Sequence, residues 1–386
     1  MLPLDGIRVL DLGISTAGPY SARFLGDLGA EVIKVEPIDG ENARSLSLRF
    51  GNVGYLFHVN NYNKKSVTLN VQSEEGRAIF LDLVAISDVG GENFALGTMD
   101  KWGIGYEACR VANPSIIFCS AKGFGLSGPA AGKKAFDTVV QGMSGLMDLA
   151  GQPGEPPVKA GPSACDLMTA GANAFAVMAA IAARRESESQ LLDTSLFDMG
   201  VLATLPFWPA AARDAEGPHS LGNGHPDHAP FGLYACRDGQ LVVNVRTDAE
   251  WAPLADLIGM PAAWNRPMRL AHREEIETGL QQWLAAQDVW PAANRLQGFG
   301  IPAAPVLDVA QASRAQAEAG DPVLIDIDHP VYGPMPLIRT PLAAGVAGTA
   351  IRRLQPTLGQ HNDEIIGELL GRRSELPELR SKGVVG

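Results

Sequence analysis

The chain has 386 residues, 46% hydrophobic and 19% charged, which is the make-up of an ordinary globular protein and excludes disorder; the length suits two domains, or one large domain with a smaller insertion. A net charge of −12 argues against a nucleic-acid backbone as partner, because neutralising phosphates needs an excess of Lys and Arg on one face. The 43 glycines and 27 prolines imply many tight turns.

In chain order, residues 7–12 (Ile-Arg-Val-Leu-Asp-Leu) have the apolar density of a buried strand, residues 19–29 read as a helix opened by Pro19, and residues 31–36 as a second strand. That is a β-α-β unit. Strands at 66–69, 87–92 and 115–120 and helices at 74–85 and 137–146 continue the alternation, which favours a parallel sheet covered on both faces. The turn-rich stretch 151–157 then delivers the chain to Asp166, immediately before a long Ala-rich helix ending at Arg184-Arg185. The uncharged run 167–183 is shorter than the roughly 20 apolar residues of a membrane span and reads as a buried helix of a soluble protein.

Further on, Leu221-Gly-Asn-Gly-His-Pro226 is a flexible loop, and strands at 231–236 and 241–245 are joined by Arg237-Asp238-Gly239-Gln240, where Asp-Gly signals a hairpin. Helices at 249–258 and 273–286 follow, and a last helix at 361–370 is placed to return to the first domain. The expected fold is α/β: a Rossmann-like parallel-sheet domain over 1–200, a smaller α+β domain over 225–325, and a C-terminal return over 326–386.

Familiar motifs are missing. The turn Gly13-Ile-Ser-Thr-Ala-Gly18 has two glycines at P-loop spacing but Pro19-Tyr20 where Lys and Ser/Thr would be needed, and it lacks G-x-G-x-x-G, although Glu36 ends the second strand where a dinucleotide fold puts its ribose-binding acid. Seven scattered histidines and four widely spaced cysteines (Cys109, Cys119, Cys165, Cys236) suggest neither a metal site nor disulfides, and with no leader-like start a reducing cytoplasm is expected. Eight of the nine lysines (Lys34, Lys64, Lys65, Lys101, Lys122, Lys133, Lys134, Lys159) lie in the first 159 residues. Solvated surface explains any one of them, and a cluster meeting a polyphosphate is the sharper reading.

Asp166 has two readings. An Asp at a helix start commonly caps it by accepting a backbone N–H. The same donors and the positive end of the helix dipole also keep a carboxylate ionised, and with a reference pKa of about 3.9 it would be a nucleophile needing no general base. Cys165 is a competing nucleophile, with packing the alternative.

Several segments, in order, resemble the family III CoA-transferases, the CaiB/BaiF type that includes formyl-CoA transferase and carnitine CoA-transferase: Pro3-Leu-Asp-Gly-Ile-Arg-Val-Leu-Asp-Leu12, Ala17-Gly-Pro19, Leu28-Gly-Ala-Glu-Val-Ile-Lys-Val-Glu36, Asn61-Tyr-Asn-Lys-Lys-Ser-Val67, Glu92-Asn-Phe94, Trp102-Gly-Ile-Gly-Tyr106, Lys134-Ala-Phe-Asp137 and Gly359-Gln-His361. The resemblance implies that Asp166 is the nucleophile. It also implies that Thr16 and Ala17 line the coenzyme A site, that Asn93 and Phe94 contact the cofactor, and that Lys101 and Lys134 meet it with positive charge. Gly222, Asn223, Gly224 and His225 match a mobile loop that covers the intermediate. Coenzyme A enters as a substrate thioester, no metal is implied, and an interlocked homodimer is. Pro37 stands where some members carry an arginine, and Ala95-Leu96 replaces the commoner step after Asn-Phe.

The reaction implied moves CoA from an acyl-CoA to a carboxylic acid through an aspartyl anhydride and an aspartyl-CoA thioester, with succinyl-CoA and a C4 or C5 dicarboxylate such as itaconate or mesaconate the substrates to try first. An α-methylacyl-CoA racemase is the nearest rival, but Phe136 occupies the position of its catalytic His and has no exchangeable proton. A non-catalytic CoA-binding protein, with Asp166 only a cap, is the other alternative.

Overall fold

In the computed structural model, which describes residues 2–184, 188–213, 219–340, 342 and 351–386, six strands form one sheet. They are β1 (Arg8–Asp11), β2 (Glu31–Glu36), β3 (Lys64–Thr68), β4 (Val89–Glu92), β5 (Ile117–Lys122) and β6 (Gln190–Ser195). Their order is β3-β2-β1-β4-β5-β6 and every neighbouring pair is parallel. Parallel neighbours need a crossover that returns the chain to the same edge. Helices supply it: α1 (Ala17–Asp27), α2 (Tyr55–Asn61), α3 (Glu74–Ala85), α4 (Tyr106–Ala112), α5 (Asp137–Met143) and α6 (Ala164–Ala182), while α7 (Leu196–Ala203) follows the last strand.

Burial on both faces explains why the strands read as unbroken apolar runs. Leu10, Ile33 and Val67 point to the side covered by Ile79, Phe80 and Leu83 of α3. Val9, Val32 and Val89 point to the other side, against Leu25 of α1 and Ala174 and Val177 of α6. β6 escapes the sequence reading because it is an edge strand, Gln-Leu-Leu-Asp-Thr-Ser, with alternating exposure. At the opposite edge, β3 is covered by the C-terminal segment: Ser66 N–H donates to His361 Nδ1 (3.0 Å) and Thr68 N–H to Asn362 Oδ1 (2.9 Å), so two edge donors are occupied. The helix expected at 361–370 is a π-helical turn, Asp363–Leu369.

Two expectations about α6 need correction. It starts at Ala164 with Ser163 as N-cap, so Asp166 lies inside its first turn; it ends at Ala182, and Arg185 lies outside the described residues. Nor is it buried all round: Cys165, Thr169, Ala170, Asn173, Ala174, Val177 and Ala180 form one buried stripe at helical spacing, while Phe175 is 71% exposed. By length and composition α6 is apolar enough to cross a membrane, and its buried stripe packs on α1 and the sheet instead.

The chain divides into two compact units. The first comprises Met1–Leu146, Lys159–Pro206 and Val323–Gly386; the second comprises Met147–Val158 and Phe207–Pro322. Met147–Val158, assigned to the large domain on sequence, groups with the second unit, where Ser220 Oγ donates to Gly151 O (2.7 Å) and His219 contacts Asp148 (3.1 Å). The second unit has an antiparallel sheet of β7 (Phe231–Ala235), β8 (Gln240–Asn244) and β9 (Ala303–Pro305), with β8 central. The Asp238-Gly239 turn joins β7 to β8 as expected. Helices α8 (Asp248–Ile258), α9 (Arg273–Ala285) and α10 (Val289–Gly298) close its core through Trp251, Leu254, Ile276, Leu280 and Leu296. Thr247 and Glu250 form a capping box that starts α8 where the chain leaves β8.

Candidate active site

The strand order reverses between β1 and β4, where crossovers leave toward opposite faces and open a crevice at the carboxyl ends of the strands. The loop from β1 to α1 lines it and is fixed from every side. Asn93, just after β4, accepts from Ile14 N–H (2.7 Å) and donates to Ile14 O (2.9 Å). Ser15 N–H donates to Glu41 (2.8 Å), Asn60 Nδ2 donates to Ser15 O (2.8 Å), and Lys34 Nζ donates to Gly13 O (2.8 Å). A Cβ on Gly18 would sit 2.9 Å from Gly13 Cα and 3.0 Å from Asn93 Oδ1, so only glycine lets loop and strand approach this closely. The side-chain amide of Asn93, expected as a cofactor contact, is held by Ile14 and so also anchors the loop.

Beneath the loop lies a buried ion cluster. Lys64 Nζ donates to Asp11 Oδ2 (2.7 Å), Pro19 O (2.7 Å) and Asn61 Oδ1 (2.8 Å), and Lys34 Nζ lies 3.0 Å from Glu41 and 3.6 Å from Asp11. Burial opposes the charge on Asp11, but Lys34 and Lys64 outweigh it and hold the carboxyl below its usual range. Burial pulls Lys64 down to about 8 against the attraction of Asp11, which leaves it cationic at neutral pH. Glu36 is taken up by Arg44 (2.7 and 2.8 Å) and Ser66 Oγ (2.7 Å), so the acid suited to a dinucleotide ribose is already paired.

This cluster corrects the reading of the lysines. Lys34 and Lys64 are wholly buried, Lys122 is buried against Glu92 (2.5 Å), and Lys65 bridges Glu31 (2.5 Å) and Glu364 (2.7 Å). Half of the eight are structural ion pairs, neither solvated surface nor phosphate ligands. Lys101, at the end of the short helix Thr98–Lys101, and Lys133, Lys134 and Lys159 are exposed. The signal for the buried ones was a charge set inside an otherwise apolar strand, as in Val32-Ile-Lys-Val35.

Against the ends of β1, β2 and β3 lies a cavity of about 250 Å³, walled by Pro37, Ile38, Leu69, Val71, Phe94 and Trp102. Phe94 and Trp102 meet edge to face with centroids 5.1 Å apart, and both line the cavity. Pro37 contributes apolar surface where an arginine would have brought charge.

The other half of the site is the start of α6. Ala17 packs with Val140, Cys165 and Leu196 in one small core, which brings the β1–α1 loop, α5 and the first turn of α6 together. Thr16 is the N-cap residue of α1, buried, with no side-chain cap bond. Cys165 is fully buried and its thiol is pushed up to about 11, first by burial and then by Asp137 and Asp166; it is packing, not a nucleophile.

Asp166 is half-buried as the third residue of the helix, and the cap is Ser163, so the cap reading of its carboxylate does not hold. Its backbone N–H donates to Asp137 Oδ2 (3.1 Å). Asp137 also accepts from Gln141 Nε2, while Gln141 Oε1 accepts from Ala160 N–H (2.9 Å), so the pair fastens the strand of loop leading into α6. Sequence reading missed these two as site residues, because Asp137 meets Asp166 only through the fold. Burial, then repulsion from Asp137, raises the Asp166 carboxyl to about 6, opposite to the lowering expected from helix donors. It remains mostly anionic at pH 7 and is more basic than a free aspartate.

Gly222, Asn223, Gly224 and His225 fall in the second unit, where Gly222 (φ +58°) turns the chain, its N–H bonded to Ser220 Oγ (3.0 Å), and Gly224 N–H donates to Leu221 O (3.0 Å). Among the described residues, no three His, Cys, Asp or Glu side chains gather as a metal site would require.

Comparison with known proteins agrees with this geometry. The profile of CoA-transferase family III matches residues 4–362. The chain is 33% identical to a succinyl-CoA:mesaconate CoA-transferase of Haloarcula marismortui, over 95% of this chain and 96% of the relative. It is 32% identical to a succinate–glutarate CoA-transferase of Agrobacterium fabrum, again over 95% and 96%. A crystal structure of a CaiB/BaiF family protein from Brucella suis superposes with a TM-score of 0.85 at 32% identity, covering 95% of this chain and 99% of that one. With the sheet order, the crevice and these matches in agreement, the chain belongs to CoA-transferase family III and is a CoA-transferase.

Proposed function

We propose that the chain transfers CoA between carboxylic acids by covalent catalysis at Asp166, and the observation that carries this is a half-buried carboxylate in the first turn of a helix, beside Asp137 and the crevice. An oxygen of Asp166 attacks the thioester carbonyl of the donor; the C–S bond breaks, leaving an anhydride and CoA thiolate. The thiolate attacks the aspartyl carbonyl, releasing the donor acid and forming aspartyl-CoA. The acceptor carboxylate attacks that thioester in turn, and the freed thiolate takes the acceptor acyl group and returns Asp166 as a carboxylate. One thioester replaces another, so no nucleotide is consumed. The first-turn backbone donors favour negative charge developing at this helix end.

The cavity at the ends of β1 to β3, with its Pro37, Phe94 and Trp102 walls, suits the flat adenine of coenzyme A, and Lys101 and Lys134, two of the exposed lysines, are assigned to its phosphates. As substrates we propose succinyl-CoA with a C4 or C5 dicarboxylate, supported by relatives that act on mesaconate and glutarate. Chromatography of CoA esters after incubation of succinyl-CoA or acetyl-CoA with mesaconate, itaconate, glutarate and simple monocarboxylates tests this. Succinyl-CoA with the dicarboxylates should turn over fastest; turnover confined to monocarboxylates rejects the substrate assignment.

The same reading includes a homodimer, supported by apolar side chains open to solvent on one chain: Phe136 is 82% exposed, and Phe175, Leu202 and Leu205 are exposed as well. Light scattering should return about twice 40.8 kDa at assay concentration, and the single-chain mass would reject the dimer.

A further inference from the structure

The loop between β1 and α1 is held in a way that a plain crossover does not require. From Gly13 to Ser15 every backbone N–H and C=O is met by a side chain of a neighbouring element. Gly13 N–H donates to Asp11 Oδ1 (2.8 Å) and Gly13 O accepts from Lys34 Nζ (2.8 Å). Ile14 has both of its groups on the Asn93 amide (2.7 and 2.9 Å). Ser15 N–H donates to Glu41 Oε2 (2.8 Å), and Ser15 O accepts from Asn60 Nδ2 (2.8 Å). Connecting loops more often leave such groups to water, so this one is fixed before any ligand arrives.

Ser15 is also strained. Its φ is +60°, and among the described residues Asn63 (φ +61°) is the other non-glycine in that region. Asparagine tolerates the left-handed region, whereas the Cβ of serine meets the following carbonyl there. Such a conformation persists only where the surroundings over-determine it. Two immobile groups do so here. Asn60, on α2, is 1% exposed; Glu41, beyond β2, is 4% exposed and keeps its second oxygen 3.0 Å from Lys34. Glu41 thus couples the buried ion cluster to the loop backbone. Without this hold Ser15 can relax to negative φ, and Thr16, the N-cap residue of α1, turns with it.

We propose that Asn60 and Glu41 are positioning residues: from beneath the loop they hold Ser15 left-handed and so keep the β1–α1 loop in the shape that receives a ligand at the crevice. That this ligand is CoA rests on the function proposed above; the hold on Ser15 does not. The affinity of a site formed only part of the time falls with the fraction formed, so losing the hold acts on binding and spares the chemistry.

Titration calorimetry with free CoA on the full chain, kinetics with the parent's best acyl-CoA donor, and amide hydrogen exchange test this. Asn60→Leu removes the donor to Ser15 O at nearly constant volume. CoA affinity should fall about five- to tenfold and KM for the acyl-CoA rise by a similar factor, with kcat kept within about twofold. Exchange at the amides of Ile14 and Ser15 should quicken in the ligand-free variant. Glu41→Gln leaves one carbonyl oxygen to serve both Ser15 N–H and Lys34, so it should weaken CoA binding in the same sense, and it decides the matter if Asn60→Leu does not fold. Ser15→Gly makes the left-handed backbone free of steric cost, so Asn60→Leu added to Ser15→Gly should lower CoA affinity by only about twofold relative to Ser15→Gly alone. A purely structural role for Asn60 would give the same loss in both backgrounds. That equal loss, or parental CoA affinity in both Asn60→Leu and Glu41→Gln, overturns the proposal. Parental CoA affinity in variants of an enzyme that transfers CoA overturns this proposal alone; weakened CoA binding, as stated, in a protein that transfers nothing overturns the proposed function alone.

Discussion

Asp166→Asn and Asp166→Ala should each lower CoA transfer by about four orders of magnitude or more while leaving the fold intact, because no other group here can replace the attacking oxygen. Cys165, the neighbouring candidate, is buried and held as a thiol. The checks are turnover by CoA-ester chromatography and the intact mass of protein quenched during turnover. The parent should carry a CoA adduct on Asp166 and the variants none; wild-type turnover in either variant would exclude the covalent route. The attacking species is the anion, so kcat/KM should be high at neutral pH and fall as pH drops through about 6, the raised value of Asp166. Asp137→Asn removes the repulsion and should move that acid limb to lower pH, since the remaining push is burial alone. A limb that stays in place, or moves up, would show that Asp137 does not act on Asp166.

The second large effect is on stability. Asp11→Ala should cost about 3–5 kcal/mol in urea unfolding, because it strips a buried carboxylate from between Lys34 and Lys64 and leaves two wholly buried ammonium groups short of countercharge. Lys34 keeps Glu41 (3.0 Å), and Lys64 keeps only neutral acceptors. Asp11→Leu combined with Lys64→Met should cost less than Asp11→Ala alone, since removing both charges strands neither. The pH sign follows from the lowered Asp11 carboxyl: its contribution is complete above the unfolded value of 3.8 and is lost as pH falls through the lower folded one. A loss under about 1 kcal/mol for Asp11→Ala would mean the cluster is solvated rather than sealed. Because Lys34 also holds Gly13 O, Asp11→Ala should loosen the β1–α1 loop and raise KM for acyl-CoA.

Much of the fold was readable along the chain because its signals are local. The apolar run 7–12, the helix behind Pro19, the strand 31–36 and the Asp238-Gly239 hairpin each depend on a few neighbouring residues, and each lies within a residue or two of its expected place. The order of motifs from Pro3 to His361 was enough to point to the family, since a long series in register is specific even where each piece is weak. β6 was invisible because an edge strand needs only one buried side, and its Gln, Asp, Thr and Ser look like a loop.

The chemistry of the site was not local. A lysine in a strand reads alike whether it faces solvent or an aspartate, and only the sheet order β3-β2-β1 puts Lys64 and Lys34 on Asp11. Asp137 and Asp166 are 29 positions apart, and the raised carboxyl arises from their meeting inside low-dielectric surroundings. Asn93 is bound to Ile14, 79 positions away, and so supports the loop it was expected to work beside. Sequence alone determined most of the elements, because propensity and periodicity act over a turn or a strand, and its ordered motifs pointed to the family; which charges are paired, and therefore which carboxylate is basic, was decided by tertiary contacts, because Coulomb energy and desolvation depend on distance in space and not along the chain.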